Sequence, residues 1–112
     1  MIEVSLIEYL NKNLSVEAYC ERPKVAPTSY VLIEKTSESE SNHLRSCMIA
    51  IQSYASTLYD AMALNEEVIQ VMQHAHEMSN VFGCHMNSSY NFTDDSTKEY
   101  RYQSVYDINY ML

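Results

Sequence analysis

The sequence predicts one two-layer α+β domain, in which two helices cover a mainly antiparallel five-stranded sheet in the order α-β-β-β-α-β-β. Two segments carry apolar residues at helical spacing, and five others alternate or form short β-branched runs. The connections between consecutive strands are short, which favours antiparallel pairing. The 112 residues include one glycine and two prolines, so no long linker divides the chain. A single domain over 1–112 is therefore expected.

The first part of the chain predicts a helix and then two strands. An apolar residue at every fourth position predicts an amphipathic helix over 2–14; these residues are Ile2, Leu6, Leu10 and Leu14. Alternation over 16–21 predicts the first strand. Pro23 and Pro27 then indicate a loop. The β-branched run at 30–33 predicts a second strand that is buried on both faces.

A low-complexity acidic tract over 36–42 follows this second strand. Its serines and glutamates bury no apolar surface, so we predict a solvated hairpin loop that is mobile in the free subunit. Deletion of residues 37–41 is then expected to leave the fold intact. Residues 43–54 predict a third strand that is apolar on both sides in its middle.

The second part of the chain predicts a long helix and two further strands. Thr57 and Asp60 have the spacing of a capping box and open a helix over 57–78. Alternation predicts a fourth strand over 82–86, with 90 or 92 as alternative ends. Residues 94–96 predict a turn. The last strand, over 99–110, places tyrosines on one face and charged or amide side chains on the other.

The composition argues against several functional classes. The formal charge is −8 with only seven Lys and Arg, so binding to nucleic-acid phosphates or to anionic lipid is disfavoured. The first residues are acidic where a signal peptide would be basic, and no apolar run is long enough to span a membrane. We therefore expect a cytoplasmic protein, in which the three cysteines are small core residues.

No residue pattern predicts a catalytic, cofactor or metal site. His74 and His76 are two apart on a predicted helix and diverge, while His85 and Cys84 are strand neighbours with opposite directions. A zinc site would require convergence of His43, Cys47, Cys84 and His85 without any supporting ligand spacing. A single glycine also argues against a phosphate-binding loop. We expect no enzyme activity, no cofactor and no metal.

The C-terminal strands carry more tyrosine than a small core needs. Tyrosine is enriched at protein–protein interfaces because it joins apolar area to a polar tip. The candidate interface residues are Tyr90, Phe92, Tyr100, Tyr102 and Tyr106. The alternative is that these residues lie on an antiparallel sheet without binding a partner, and the sequence is compatible with both interpretations.

The chain resembles the tail terminator, or tail completion, proteins of siphophages and prophages. The most specific part is the C-terminal pair of segments, 87–94 (NSSYNFTD) and 97–108 (TKEYRYQSVYDI). Shorter segments agree in the same order: 7–10 (IEYL), 30–35 (YVLIEK), 50–55 (AIQSYA) and 58–61 (LYDA). The resemblance covers nearly the whole chain.

This resemblance implies a structural subunit without enzyme activity or cofactor. Such subunits form a ring, usually of six, that caps the tail tube, stops its polymerisation and contacts head-completion proteins. The expected location is the virion tail, and the host cytoplasm during assembly. The genome would pass through the ring without specific binding, and Glu38, Glu40, Asp94 and Asp95 are the candidate lumen or interface-loop residues.

Three alternatives stay open from the sequence. A head-completion or neck protein would have the same general role. An acidic DNA mimic of the anti-restriction type would place carboxylates along one face, and would leave the tyrosine-rich strand without a role. A small enzyme with unrecognised chemistry would lose activity on mutation of one histidine or cysteine.

Overall fold

A computed structural model describes residues 1–111 and confirms the α+β class and the predicted order of elements. Helix α1 spans Ile2–Asn13 and helix α2 spans Leu58–Met72, followed by one 3₁₀ turn at Ala75–Glu77. The five strands are β1 Ala18–Tyr19, β2 Tyr30–Ser41, β3 Leu44–Ala55, β4 Val81–Asn91 and β5 Tyr100–Met111. None of the helices within residues 1–111 combines the length and apolar character that a membrane span requires.

The strands form one sheet in the spatial order β1-β2-β3-β5-β4. Neighbours are antiparallel except β1, which runs parallel to β2. The first strand is much shorter than predicted because only Ala18 and Tyr19 pair with β2. The chain then leaves the sheet through the proline-containing loop over 20–29, which returns it to the start of β2.

Both helices lie on one face of the sheet and enclose the core. The buried apolar side chains come from α1 (Ile2, Leu6, Leu10), α2 (Leu64, Val68, Met72) and the central strands (Val31, Ile33, Ile49, Ile51, Tyr106, Ile108). The Tyr9 hydroxyl donates to the Val71 carbonyl at 2.7 Å and ties the two helices together. We call the opposite, helix-free side of the sheet the open face.

The start of α2 follows the prediction, whereas its end comes earlier. The Thr57 hydroxyl accepts the backbone N–H of Asp60 at 3.1 Å, as an N-cap does. At the other end, the N–H of His74 bonds to the carbonyl of Val71, three residues back. This tightening into a 3₁₀ turn places Ala75 in the core and ends the predicted 57–78 helix at Met72.

The prediction of a solvated loop over 36–42 was wrong. Strand β2 continues to Ser41 and β3 begins at Leu44, so the turn has only two residues, Asn42 and His43. Both have positive φ, 54° and 68°, as a two-residue hairpin turn of the primed type requires. The serine–glutamate alternation is a strand pattern of period two, although low complexity suggested disorder. We call residues 36–46 the hairpin extension.

Candidate functional site

The tyrosines of the two C-terminal strands separate into core and surface residues. Tyr106 and Tyr110 are each 2% exposed and belong to the core. Tyr106 was proposed as an interface residue, and its burial in the subunit contradicts that proposal. Register places Tyr102 on the same face, but it is half-exposed and lines a groove together with Tyr59 and Met62 of α2. Tyr100 is also half-exposed, beside the loop residues 26–28.

Tyr90 and Phe92 lie on the open face and are 41% and 38% exposed. They form one end of a row of mostly aromatic side chains, the aromatic row, which runs across the sheet from Tyr19 on β1. Tyr30 stacks on Tyr54 at 4.6 Å between ring centroids, and the Arg101 guanidinium lies 5.7 Å from the Tyr54 ring and 4.5 Å from the Phe92 ring. Tyr19 meets Tyr30 edge-on at the other end of the row.

A second row on the open face is held by hydrogen bonds. The Tyr54 hydroxyl donates to Gln52, Gln52 Nε2 donates to Gln103 at 2.9 Å, and Gln103 Nε2 donates to the Tyr90 hydroxyl at 2.5 Å. The two glutamines are almost fully buried although they lie outside the core. Sequence reasoning missed this row, because only strand register shows that Gln52 and Gln103 are cross-strand partners.

The loop over 20–29 is attached to this end of the sheet by Arg22. Its guanidinium makes two bonds to the Glu99 carboxylate, at 2.7 and 3.2 Å, and lies 5.4 Å from the centre of the Tyr54 ring. Tyr30 and Tyr54 are therefore buried. The aromatic row is buried in its middle, most exposed at its Tyr90 and Phe92 end, and half-buried at Tyr19.

The predicted lumen residues Glu38 and Glu40 are paired within the subunit. Glu38 accepts the Tyr110 hydroxyl and lies 3.3 Å from Lys35 Nζ and 3.6 Å from Arg45 Nη1. Glu40 bonds to Arg45 Nε at 3.3 Å, and Lys35 also reaches Glu3 at 3.4 Å. The Tyr110 hydroxyl, followed by Lys35 and Arg45, lowers the pKa of Glu38.

The other two predicted lumen residues lie in the turn before β5. Asp94 accepts the backbone N–H and the hydroxyl of Ser96, at 3.0 and 2.7 Å, and these bonds lower its pKa. Asp95 is exposed. Asp94 therefore stabilises a turn, and of the four predicted carboxylates Asp95 is the one that makes no ion pair or hydrogen bond among the described residues.

The outer edge of β4 combines three features that suit an interface. Strand β4 pairs with β5 on one side, and the described chain places no strand on the other. Its sequence, VFGCHMNSSYN, contains no Lys, Arg, Asp or Glu. Phe82 and Met86 are 53% and 50% exposed. Natural edge strands usually carry charges that discourage pairing, and β4 has only two bulges instead.

A groove lies between α2 and the C-terminal strands, where α2 leaves the β4 side of the sheet uncovered. We call it the α2–β4 groove; its volume is about 430 Å³, and it is lined by Tyr59, Met62, Ala63, Asn65, Glu66, Ser89 and Tyr102. Asn65 is buried, and its Nδ2 donates to Ser89 Oγ at 2.9 Å. Its side-chain oxygen is also buried but accepts no hydrogen bond from the residues that the structure describes.

The histidines and cysteines do not form a reactive centre in the part of the chain that is described. No group of three metal-ligating side chains comes together within residues 1–111. Burial raises the pKa of the Cys47 and Cys84 thiols to about 11, so both stay protonated near neutral pH. Cys20 is exposed and not in a disulfide.

No protein-family model matches the chain. No curated protein matches it either.

Proposed function

We propose that this protein is a structural subunit of a phage tail, which forms a homo-oligomeric ring that caps the tail tube and contacts head-completion proteins. The observation that carries the proposal is the outer edge of β4, which no other strand of residues 1–111 pairs with, which is uncharged, and which carries the exposed Phe82 and Met86. The resemblance of segments 87–94 and 97–108 to tail terminators supplies the biological setting.

The fold offers two different free edges, as a closed ring requires. Strand β1 pairs with β2 only at Val31 and Leu32, so the outer side of β2 beyond residue 32 is also free. A ring joins one edge of each subunit to the other edge of the next, and closes when the rotation allows. The β4 edge is uncharged, whereas the β2 edge carries Glu34, Lys35, Glu38 and Glu40. This asymmetry favours head-to-tail contact over pairing of two β2 edges, which would bring these carboxylates together.

A DNA mimic is less well supported than a structural subunit. Such a protein needs free carboxylates along one face. Some carboxylates are engaged: Glu3 is paired with Lys35, Glu38 and Glu40 are paired with Arg45, and Glu67 accepts the N–H and hydroxyl of Ser15. The unpaired carboxylates on the helices would suit a mimic, but a mimic leaves the exposed, uncharged β4 edge without a role. A head-completion protein would use the same edges, and differs from a tail terminator by binding portal-side partners instead of tail tubes.

The proposal is tested by measuring mass in solution by light scattering, with and without tail tubes. We expect a concentration-dependent oligomer. Met86→Lys, on the free edge, should weaken association about tenfold or more, because it buries a charge in the interface. Met111→Lys is the matched control, since Met111 is 53% exposed but belongs to β5, which has a strand on either side. A protein that stays monomeric at high concentration and with tail tubes present would reject the proposal.

A further inference from the structure

The α2–β4 groove has the composition of a site for an inserted side chain. Its walls are Tyr59, Tyr102 and Met62, and Asn65 and Ser89 bring polar groups to it. Four other surface depressions have volumes of only 150–290 Å³. Apolar walls with a few convergent polar groups are typical of binding sites. The groove belongs to one subunit, so what it binds does not depend on whether a ring forms.

The unsatisfied polar groups of the groove are hydrogen-bond acceptors. The Asn65 side-chain oxygen is buried without a donor, which is costly unless a ligand supplies one. The Glu66 carboxylate makes no hydrogen bond or ion pair among the described residues and adds a negative charge. Burial, followed by Cys84 and then by this carboxylate, raises the pKa of Tyr106 to about 12, so Glu66 lies within electrostatic reach of Tyr106. Among the described residues, no Lys or Arg lines the groove.

These features match a guanidinium group better than an ammonium group. A guanidinium is planar, stacks on aromatic rings, and presents several N–H donors that can reach two acceptors at once. Its bonds to a carboxylate are charge-assisted. An ammonium is a compact point charge that would make little use of the Tyr59 and Tyr102 rings.

The arginines of the chain itself are already engaged. Arg22 bonds to Glu99, Arg45 to Glu38 and Glu40, and Arg101 donates to the Phe92 carbonyl and to the Tyr54 hydroxyl. A second copy would therefore have to break its own contacts to supply a guanidinium. We infer that the α2–β4 groove is a docking site for an arginine side chain of a different, basic partner protein.

The inference is tested by nuclear magnetic resonance on the full chain, titrated with the blocked tripeptide acetyl-Gly-Arg-Gly-amide. We expect saturable shifts of the Asn65 side-chain amide, the Met62 methyl and the Ser89 amide, with a dissociation constant on the order of 1 mM. The corresponding citrulline peptide, which lacks the charge, should produce no saturable shift. The lysine peptide should bind several-fold more weakly, because it cannot stack as a plane.

Two matched variants locate the site. Glu66→Gln should weaken binding of the arginine peptide about fivefold or more, since it removes the charge and leaves the shape. Glu8→Gln removes the same charge from an exposed position on α1 and should leave binding unchanged. Equal shifts with citrulline, equal binding of lysine, or a Glu66→Gln variant that binds normally would each overturn the inference. Groove shifts that depend on protein concentration without peptide would instead assign the groove to a second copy.

Discussion

Tyr106 and Tyr110 lie four residues apart on β5 and are equally buried, yet their hydroxyls have different surroundings. The Tyr110 hydroxyl donates to Glu38. The Tyr106 hydroxyl makes no hydrogen bond of normal geometry within residues 1–111, although the Ser104 side chain is close to it, and burial raises its pKa to about 12. Sequence alternation places both residues on one strand face but shows neither the depth of Tyr106 nor the Tyr110–Glu38 bond. The candidate interface therefore included a core residue.

This difference predicts opposite effects of the same substitution. Tyr106→Phe removes an unpartnered buried hydroxyl and should raise the free energy of unfolding by about 1 kcal/mol. Tyr110→Phe removes a bonded hydroxyl and should lower it. Urea denaturation at pH 7 measures both. Between pH 10 and the folded pKa of Tyr106, about 12, the tyrosine ionises in the unfolded chain but stays protonated in the folded one, so the free energy of unfolding of the wild type falls. The advantage of Tyr106→Phe should therefore grow over this range, and equal effects of both variants would contradict the assignment.

Among the elements, the hairpin extension shows most clearly where sequence reasoning succeeds and fails. Strand β3 was predicted within one residue at each end, because its apolar residues fix its register on the core. The β2 half was missed, because its side chains pair with Arg45 of the facing strand and with the distant Tyr110, and it has no apolar residues of its own. The α2–β4 groove was also missed, because it depends on how α2 packs against the C-terminal strands, which the sequence does not show.

The paired carboxylates of the hairpin extension give a second prediction. Glu38 accepts from Tyr110 and lies near both Lys35 and Arg45, whereas Glu40 contacts only Arg45. Glu38→Gln should therefore lower the urea midpoint more than Glu40→Gln, which is the same charge change on the same strand face. Backbone amides of 37–41 that bond to β3 should also be protected from hydrogen exchange. Rapid exchange of all these amides, with equal urea midpoints for both variants, would contradict the strand and support the mobile loop that the sequence predicted.

Across the whole molecule, charge is distributed unequally between the helix layer and the β4 edge. The helix layer carries Glu8, Asp60, Glu66 and Glu77, none of which forms an ion pair within the described chain, while the β4 edge is uncharged. Subunits of charge −8 repel one another as they approach. Association at the uncharged edge is the arrangement that keeps these carboxylates out of the contact.

Added salt should therefore strengthen the oligomer. Between 0.05 and 0.5 M sodium chloride, screening shortens the range of repulsion from about 14 Å to about 4 Å. The dissociation constant from light scattering should fall several-fold over this range. An oligomer that dissociates as salt increases would indicate ion-paired contacts and would place the interface away from the β4 edge. Glycerol or sucrose at constant ionic strength controls for general solvent effects.

The position of β5 also determines when the fold can form. It follows every other element in the chain but lies between β3 and β4, and it is the strand that joins them. Until the ribosome has released residues 100–111, the β2–β3 hairpin and β4 cannot belong to one sheet. Paired residues of β3 and β5 are 45 to 67 positions apart, from Ala55–Tyr100 to Leu44–Met111, and such distant pairings slow folding. The nascent chain therefore exposes the inner edges of β3 and β4 to chaperones and neighbouring chains until synthesis of β5 is complete.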